Sequence, residues 1–168
     1  SACFEAAQGQ VVEPVNFNAP SQVVIAGHKS AVERGVAAVK ARGARRAMIL
    51  PVSAPFHCSL LKPAAERLAS FLEKVPVSTP RISVINNVDV EAEKEPQRIR
   101  QALARQACSP VRWVETVRRM AADGIAHVAE CGPGKVLAGL TRRIEGGLQS
   151  HAITDPQSLE QALAALKS

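Results

Sequence analysis

The residues with the most chemical promise are a histidine and the prolines in front of it. Leu50-Pro51-Val52-Ser53-Ala54-Pro55-Phe56-His57-Cys58 ends an apolar run in two prolines and then presents an imidazole. Proline fixes its own φ and restricts the residue before it, so the connection is stiff. An imidazole held in one orientation can take a proton and return it near neutral pH. A helix cap or a packing residue is the plainer role for the same side chain. Cys58 follows directly, and a Cys–His nucleophile pair is one chemistry to weigh. Neighbouring side chains on extended backbone point to opposite sides, which argues against it.

Other residues suggest binding. Gly132-Pro133-Gly134-Lys135 stands at a strand-to-helix turn, where backbone amides could meet an anion. It lacks the longer glycine loop and the Lys-Ser/Thr of a P-loop, and a plain tight turn is the simpler reading. Asn16, Asn18 and Gln22 gather at a hairpin turn, where amides either bond the backbone or face a substrate. His28, His127 and His151 show no partner spacing and read as surface or packing residues. Asp89, Glu91, Glu93 and Glu95 read as a solvated loop. Cys3, Cys58, Cys108 and Cys131 make no C-x-x-C pair and no metal-ligand spacing, so they are read as reduced thiols with no metal. No G-x-S-x-G nucleophile elbow occurs in these residues, so a nucleophile for His57 to activate is missing from them.

Periodicity supplies the elements that hold these residues. The chain opens with Ser1-Ala2-Cys3-Phe4, without Met and inside a helical pattern, which reads as a fragment. Residues 11–18 and 22–27 form a hairpin. Ser30 and Glu33 form a capping box for a helix with Val32, Val36 and Val39 on one face, ended by Gly43. Arg34, Lys40 and Arg42 fall on a solvated face of that helix. Residues 47–52 are a third strand. Leu61, Ala65, Leu68 and Leu72 mark the next helix, with Pro63 in its first turn. Residues 82–88 are a short buried strand. Helices open at Pro96 and Pro110, and residues 125–130 are a strand. Val136, Leu140 and Ile144 mark a helix, residues 151–154 a strand, and Asp155-Pro156 start a last helix. Strands alternating with helices predict an α/β fold with a mostly parallel sheet. The boundary falls near the prolines, just before His57, where a cleft would form.

Composition bounds the class. The 168 residues are 46% hydrophobic and 21% charged, enough apolar material for a sizeable core. No stretch is apolar enough to span a bilayer and no secretory signal is visible, so a soluble, cytoplasmic chain is expected. Net charge is +6 and the pI about 9.6. Aromatics at 3%, no Tyr and no RNA-stacking motif argue against nucleic acid. An acidic protein or an anionic small molecule suits the charge as well.

Several segments together resemble one family. Val15-Asn16-Phe17-Asn18-Ala19-Pro20-Ser21-Gln22-Val23-Val24-Ile25-Ala26-Gly27 is similar to the hairpin of malonyl-CoA:acyl-carrier-protein transacylases. Pro51 to Cys58 resembles their catalytic-histidine loop. Val84 to Asp89, Arg105-Gln106, Pro110 to Trp113 and Glu130 to Leu137 follow in the family's order. The resemblance implies a partial ferredoxin-like subdomain over residues 1–53. The C-terminal part of an α/β-hydrolase-like parallel sheet with flanking helices would follow over 54–168. It implies ping-pong transfer of malonyl from coenzyme A to the phosphopantetheine thiol of acyl carrier protein, with no cofactor and no metal. The resemblance leaves the oligomeric state open; a monomer with no membrane partner is the expectation. His57 would be the base, oriented by the main-chain carbonyl at Gln106. Asn16, Asn18, Gln22 and Phe56 are assigned to substrate binding. In related domains a Phe before the histidine goes with malonyl and a Ser often with methylmalonyl. The serine elbow, the carboxylate-binding Arg and the Gln-Gly segment of the oxyanion hole are absent from these residues. The chain is therefore expected to match about the C-terminal half of a transacylase and to be inactive alone. A non-catalytic module that binds the carrier protein is the alternative.

Overall fold

The computed structural model describes residues 2–52 and 54–167. Ser53 of the proline loop lies outside them. The chain is an α/β protein with two compact units, one formed by Ser1–Phe17 with Val23–Arg112, the other by Asn18–Gln22 with Trp113–Ser168.

The chain begins with helix α1 (Ala2–Ala7) and a hairpin of β1 (Val12–Ala19) and β2 (Gln22–Gly27), which lie in the first unit except for residues 18–22. Helix α2 (Lys29–Ala41) follows and packs on α1. Ala6, Val12 and Ala31 form their shared core, with Cys3, Ala7, Ile25 and Val32 against it. Gly35 lets α2 approach β2 closely, since a Cβ there would sit 2.9 Å from Ile25 Cδ1. A 3-10 turn (Ser59–Leu61) leads into α3 (Lys62–Leu72), and α4 (Pro96–Ala107) packs along α3. Pro63 and Pro96 each lie in a first helical turn, where the missing N–H costs nothing.

Arginines close the helix ends. The last carbonyls of a helix have no partner within it. Arg34 Nε and Nη2 donate to Ala6 O and Ala7 O, at 2.9 and 3.1 Å. Arg100 Nε and Nη2 likewise donate to Leu72 O and Val75 O, both at 2.9 Å. Arg34 is therefore a structural fork and not part of a solvated face, as its spacing alone suggested.

The second unit holds α5 (Trp113–Ala122), β3 (His127–Cys131), α6 (Val136–Ile144), β4 (Gln149–Ile153) and α7 (Pro156–Ala165). Strands β3 and β4 pair in parallel, with Ala129 opposite His151. Parallel neighbours need a crossover, and α6 supplies it. Val117 and Thr141 are fully buried side chains, and Leu140, Leu148 and Ala162 are buried with them. Asp155 caps α7 with a full capping box to Ser158.

Four local expectations are corrected. Residues 47–52 form no strand; Met48, Ile49, Leu50 and Val52 are exposed. Their pattern suits a strand, yet no described strand pairs with them, and pairing is what makes a strand. Residues 82–88 contribute only an isolated bridge between Ile85 and Ala92, and Ile82 is 81% exposed. Asn86 is the cause. Its Oδ1 accepts from the amides of Val88 and Asp89, at 3.1 and 2.7 Å, while its Nδ2 donates to Glu91 O. This Asx turn replaces the ladder. The N-cap of α2 is His28, not Ser30, because Ser30 Oγ donates to Gln10 Oε1. Helix α5 starts at Trp113 and not at Pro110, because Val111 is drawn into a bridge with Asn16 of β1.

Two stability consequences follow from this geometry. A Cβ on Gly27 would lie 2.0 Å from Val11 O. Gly27→Ala therefore lowers the unfolding free energy by about 2 kcal/mol or more, read by urea titration. The Ser158 amide, followed by its hydroxyl, holds the Asp155 carboxyl below the usual carboxylate range. A carboxyl depressed in the folded state stabilises at neutral pH, and that help fades as pH falls through its folded value. The Ser158 amide resonance should stay at its capped position at pH 7 and move on acidification below the ordinary aspartate range.

Candidate active site

His57 lies in the first unit, half-buried, between the proline loop and the 3-10 turn. Its φ is +64°, a left-handed state that non-glycine residues keep only when held there. Its amide donates to Ala107 O at 3.3 Å, and its ring Nδ1 is 2.9 Å from Gln106 O. Both acceptors belong to the last turn of α4, where carbonyls are open. A carbonyl only accepts, so Nδ1 carries the proton. In the neutral ring Nε2 is then the free acceptor, the state a general base needs.

The Gln106 side chain serves the same turn. Its Nε2 donates to Ser109 O and Pro110 O, at 3.3 and 3.4 Å, and its Oε1 is buried without a hydrogen-bond partner. It also lines a cavity of about 340 Å³ with Val77, Val84, Ile99 and Leu103. The amide thus folds the chain after α4, while the main chain meets the imidazole. Phe56 is 57% exposed, with its ring 6.5 Å from the His57 ring. Cys58 turns away: its Sγ donates to Pro55 O at 3.1 Å. Burial, more than any nearby charge, pushes its thiol up.

The structure brings His57, Gln106 and Phe56 together. Asn16 is half-buried on β1, whose backbone meets Val111: Val111 N donates to Val15 O at 2.8 Å and Phe17 N to Val111 O at 3.0 Å. Asn18 and Gln22 belong to the second unit, at the hairpin turn. The anion reading of Gly132 to Lys135 fails on occupancy. Glu130 Oε2 already accepts from the Ala138 amide at 2.8 Å, so a carboxylate of this chain fills the start of α6. Asp89 and Glu93 are not simply solvated; they pair with Arg105 and Arg98.

Sequence reasoning missed several partners. His127 Nδ1 and His151 Nε2 are 3.2 Å apart. His151 stands opposite Ala129, two residues from His127, and alternation puts both rings on one face. Pairing 127–131 with 149–153 in the sequence would have revealed it. His28 Nδ1 accepts from the Val11 amide at 3.0 Å and so fixes the entry to α2. Glu13 is bonded to Ser59, 46 residues away, and nothing in the spacing marks it. Among the described residues, no group of three or more His, Cys, Asp or Glu could hold a metal ion, and no helix is long and apolar enough to cross a membrane.

A histidine with its Nδ1 proton directed at a main-chain carbonyl, leaving Nε2 as acceptor, has the arrangement that general-base chemistry requires. Residues 2–159 match the acyl transferase domain, and the chain belongs to that family. It is 56% identical over 162 residues to the malonyl CoA-acyl carrier protein transacylase of Escherichia coli K12, covering 96% of this chain and 52% of that protein. The acyl-carrier-protein S-malonyltransferase of Burkholderia pseudomallei 1710b superposes with a TM-score of 0.95 at 56% identity, over 97% of this chain and 53% of the other. A malonyl-transacylase solved in complex with its type II PKS acyl-carrier protein gives 0.96 at 53% identity, over 98% and 53%. The chain spans about half the length of the curated relatives it matches.

The thiols provide a check on the loop. Cys58 is fully buried and Cys131 exposed. Iodoacetamide at pH 8 should label Cys131 in the folded protein and Cys58 only after denaturant is added, read by peptide mass spectrometry.

Proposed function

We propose that this chain supplies the histidine of a malonyl transacylase that moves malonyl from coenzyme A to the phosphopantetheine thiol of acyl carrier protein. The observation that carries the reading is the 2.9 Å approach of His57 Nδ1 to Gln106 O. A serine from residues outside this chain attacks the malonyl thioester, and Nε2 takes the hydroxyl proton as the C–O bond forms. The imidazolium returns that proton to the coenzyme A sulfur as the C–S bond breaks, leaving a malonyl ester on the serine. The carrier thiol then gives its proton to Nε2, attacks the ester and releases the serine oxygen, which regains the proton. Nδ1 stays on the carbonyl throughout, so the ring keeps one orientation for both halves of the cycle.

The substrate side follows the same reading. Phe56, beside the imidazole, and Asn16 on β1 face the malonyl group; for Asn18 and Gln22 the role rests on the resemblance alone. The protein works as a cytoplasmic monomer without a metal or organic cofactor, and its positive charge suits an acidic carrier. Residues 1–53 belong to a ferredoxin-like subdomain and 54–168 to an α/β-hydrolase-like one. The absence of a G-x-S-x-G elbow from these 168 residues favours a second reading, a carrier-binding module without catalysis.

One experiment separates the two. With the serine-bearing segment present, His57→Asn should lower kcat for malonyl transfer at least about 100-fold, while the 168-residue chain alone forms no malonyl ester by intact mass. Unchanged transfer in the variant defeats the transacylase reading, and an ester on the isolated chain defeats the placement of the nucleophile outside it.

A further inference from the structure

We infer that Glu13 is a positioning residue for His57, acting through Ser59. Glu13 Oε2 accepts from the Ser59 amide at 2.8 Å and Oε1 from the Ser59 hydroxyl at 2.7 Å. Ser59 follows His57 by one intervening residue and opens the 3-10 turn, where the amides have no helical partner. A carboxylate with both oxygens engaged there is a strong anchor, because charge-assisted bonds are short and the helix start favours negative charge.

The anchor matters because of what lies next to it. His57 keeps a left-handed backbone with one amide bond of its own, at 3.3 Å. Upstream, Cys58 Sγ ties the segment to Pro55 O. Downstream, Glu13 is the tie. Glu13 also stands on β1, and β1 is bonded to Val111 through Val15 and Phe17. The Gln106 amide holds the intervening carbonyls of Ser109 and Pro110. The contacts therefore close a circuit: Glu13 to Ser59, along the chain to His57, across to Gln106, through Pro110 to Val111, and back along β1 to Glu13. The donor and the acceptor of the His57–Gln106 bond are both located from one strand. Loss of the carboxylate frees the donor side alone and lets the imidazole drift from a carbonyl that stays in place.

The kinetic part of the test rests on the transacylase reading; the spectroscopic part does not. In the 15N-labelled chain, His57 should show a single Nδ1–H tautomer. Glu13→Ala should convert it to the mixed tautomers of a free imidazole, with the His28, His127 and His151 signals unchanged as proof of folding. Glu13→Gln keeps the shape and one acceptor and should shift the ratio the same way by less. With the serine-bearing segment present, Glu13→Ala should lower kcat about tenfold and leave KM for malonyl-CoA within about twofold. Adding Ser59→Ala should cost nothing more, since both act through one contact. An unchanged His57 tautomer in both Glu13 variants, or independent costs at Glu13 and Ser59, overturns the proposal. Transfer that ignores His57→Asn would overturn the transacylase reading instead and leave the tautomer result to decide Glu13.

Discussion

A carbonyl oxygen is only as steady as the backbone that carries it, and the His57 ring takes its bearing from one. The bond to Gln106 O therefore asks that the end of α4 and the loop before α3 be held against each other. The two helices that meet this demand also pack together. Arg100 of α4 closes the end of α3, so the helices are tied by a guanidinium as well as by apolar contact. Ala102 and Ala104 are buried on α4, and small side chains let it lie close. A carboxylate partner for the imidazole would need only a rotamer; a main-chain partner needs a whole helix end in place.

Side chains that finish backbone elements recur through the chain. Arg34 and Arg100 close helix C-termini, Glu130 and Asp155 fill N-termini, and His28 accepts the amide that precedes a strand. Each answers an unpaired donor or acceptor at an element end. Residues that look like free surface charge by composition are in these cases structural, and because two arginines and two carboxylates are so used, the +6 balance is left as it was.

Legibility in the sequence followed the range of the interaction. Pro63, Pro96 and Pro156 marked helix starts, and Gly43 and Gly124, both at positive φ, marked helix ends, because their effects are local. The hairpin and the parallel pair were readable from short apolar runs between turns. The runs at 47–52 and 82–88 carried the same pattern and failed as strands. A strand needs a neighbour, and local pattern does not supply one. In the site, His57 stood out through its prolines and Gln106 through the resemblance. The Glu13–Ser59 contact was invisible because it joins residues far apart in the chain and similar in type to ordinary surface groups, whereas the His127–His151 contact needed the two strands to be paired first.

The two unpaired apolar stretches have a consequence for handling the molecule. Met48 to Leu50 and Ile82 to Val84 expose greasy side chains on backbone that belongs to no described strand, a combination that recruits any extended segment at hand. Concentrated samples of the isolated chain would stick to themselves along these edges, and chaperones would find in them the kind of segment they grip.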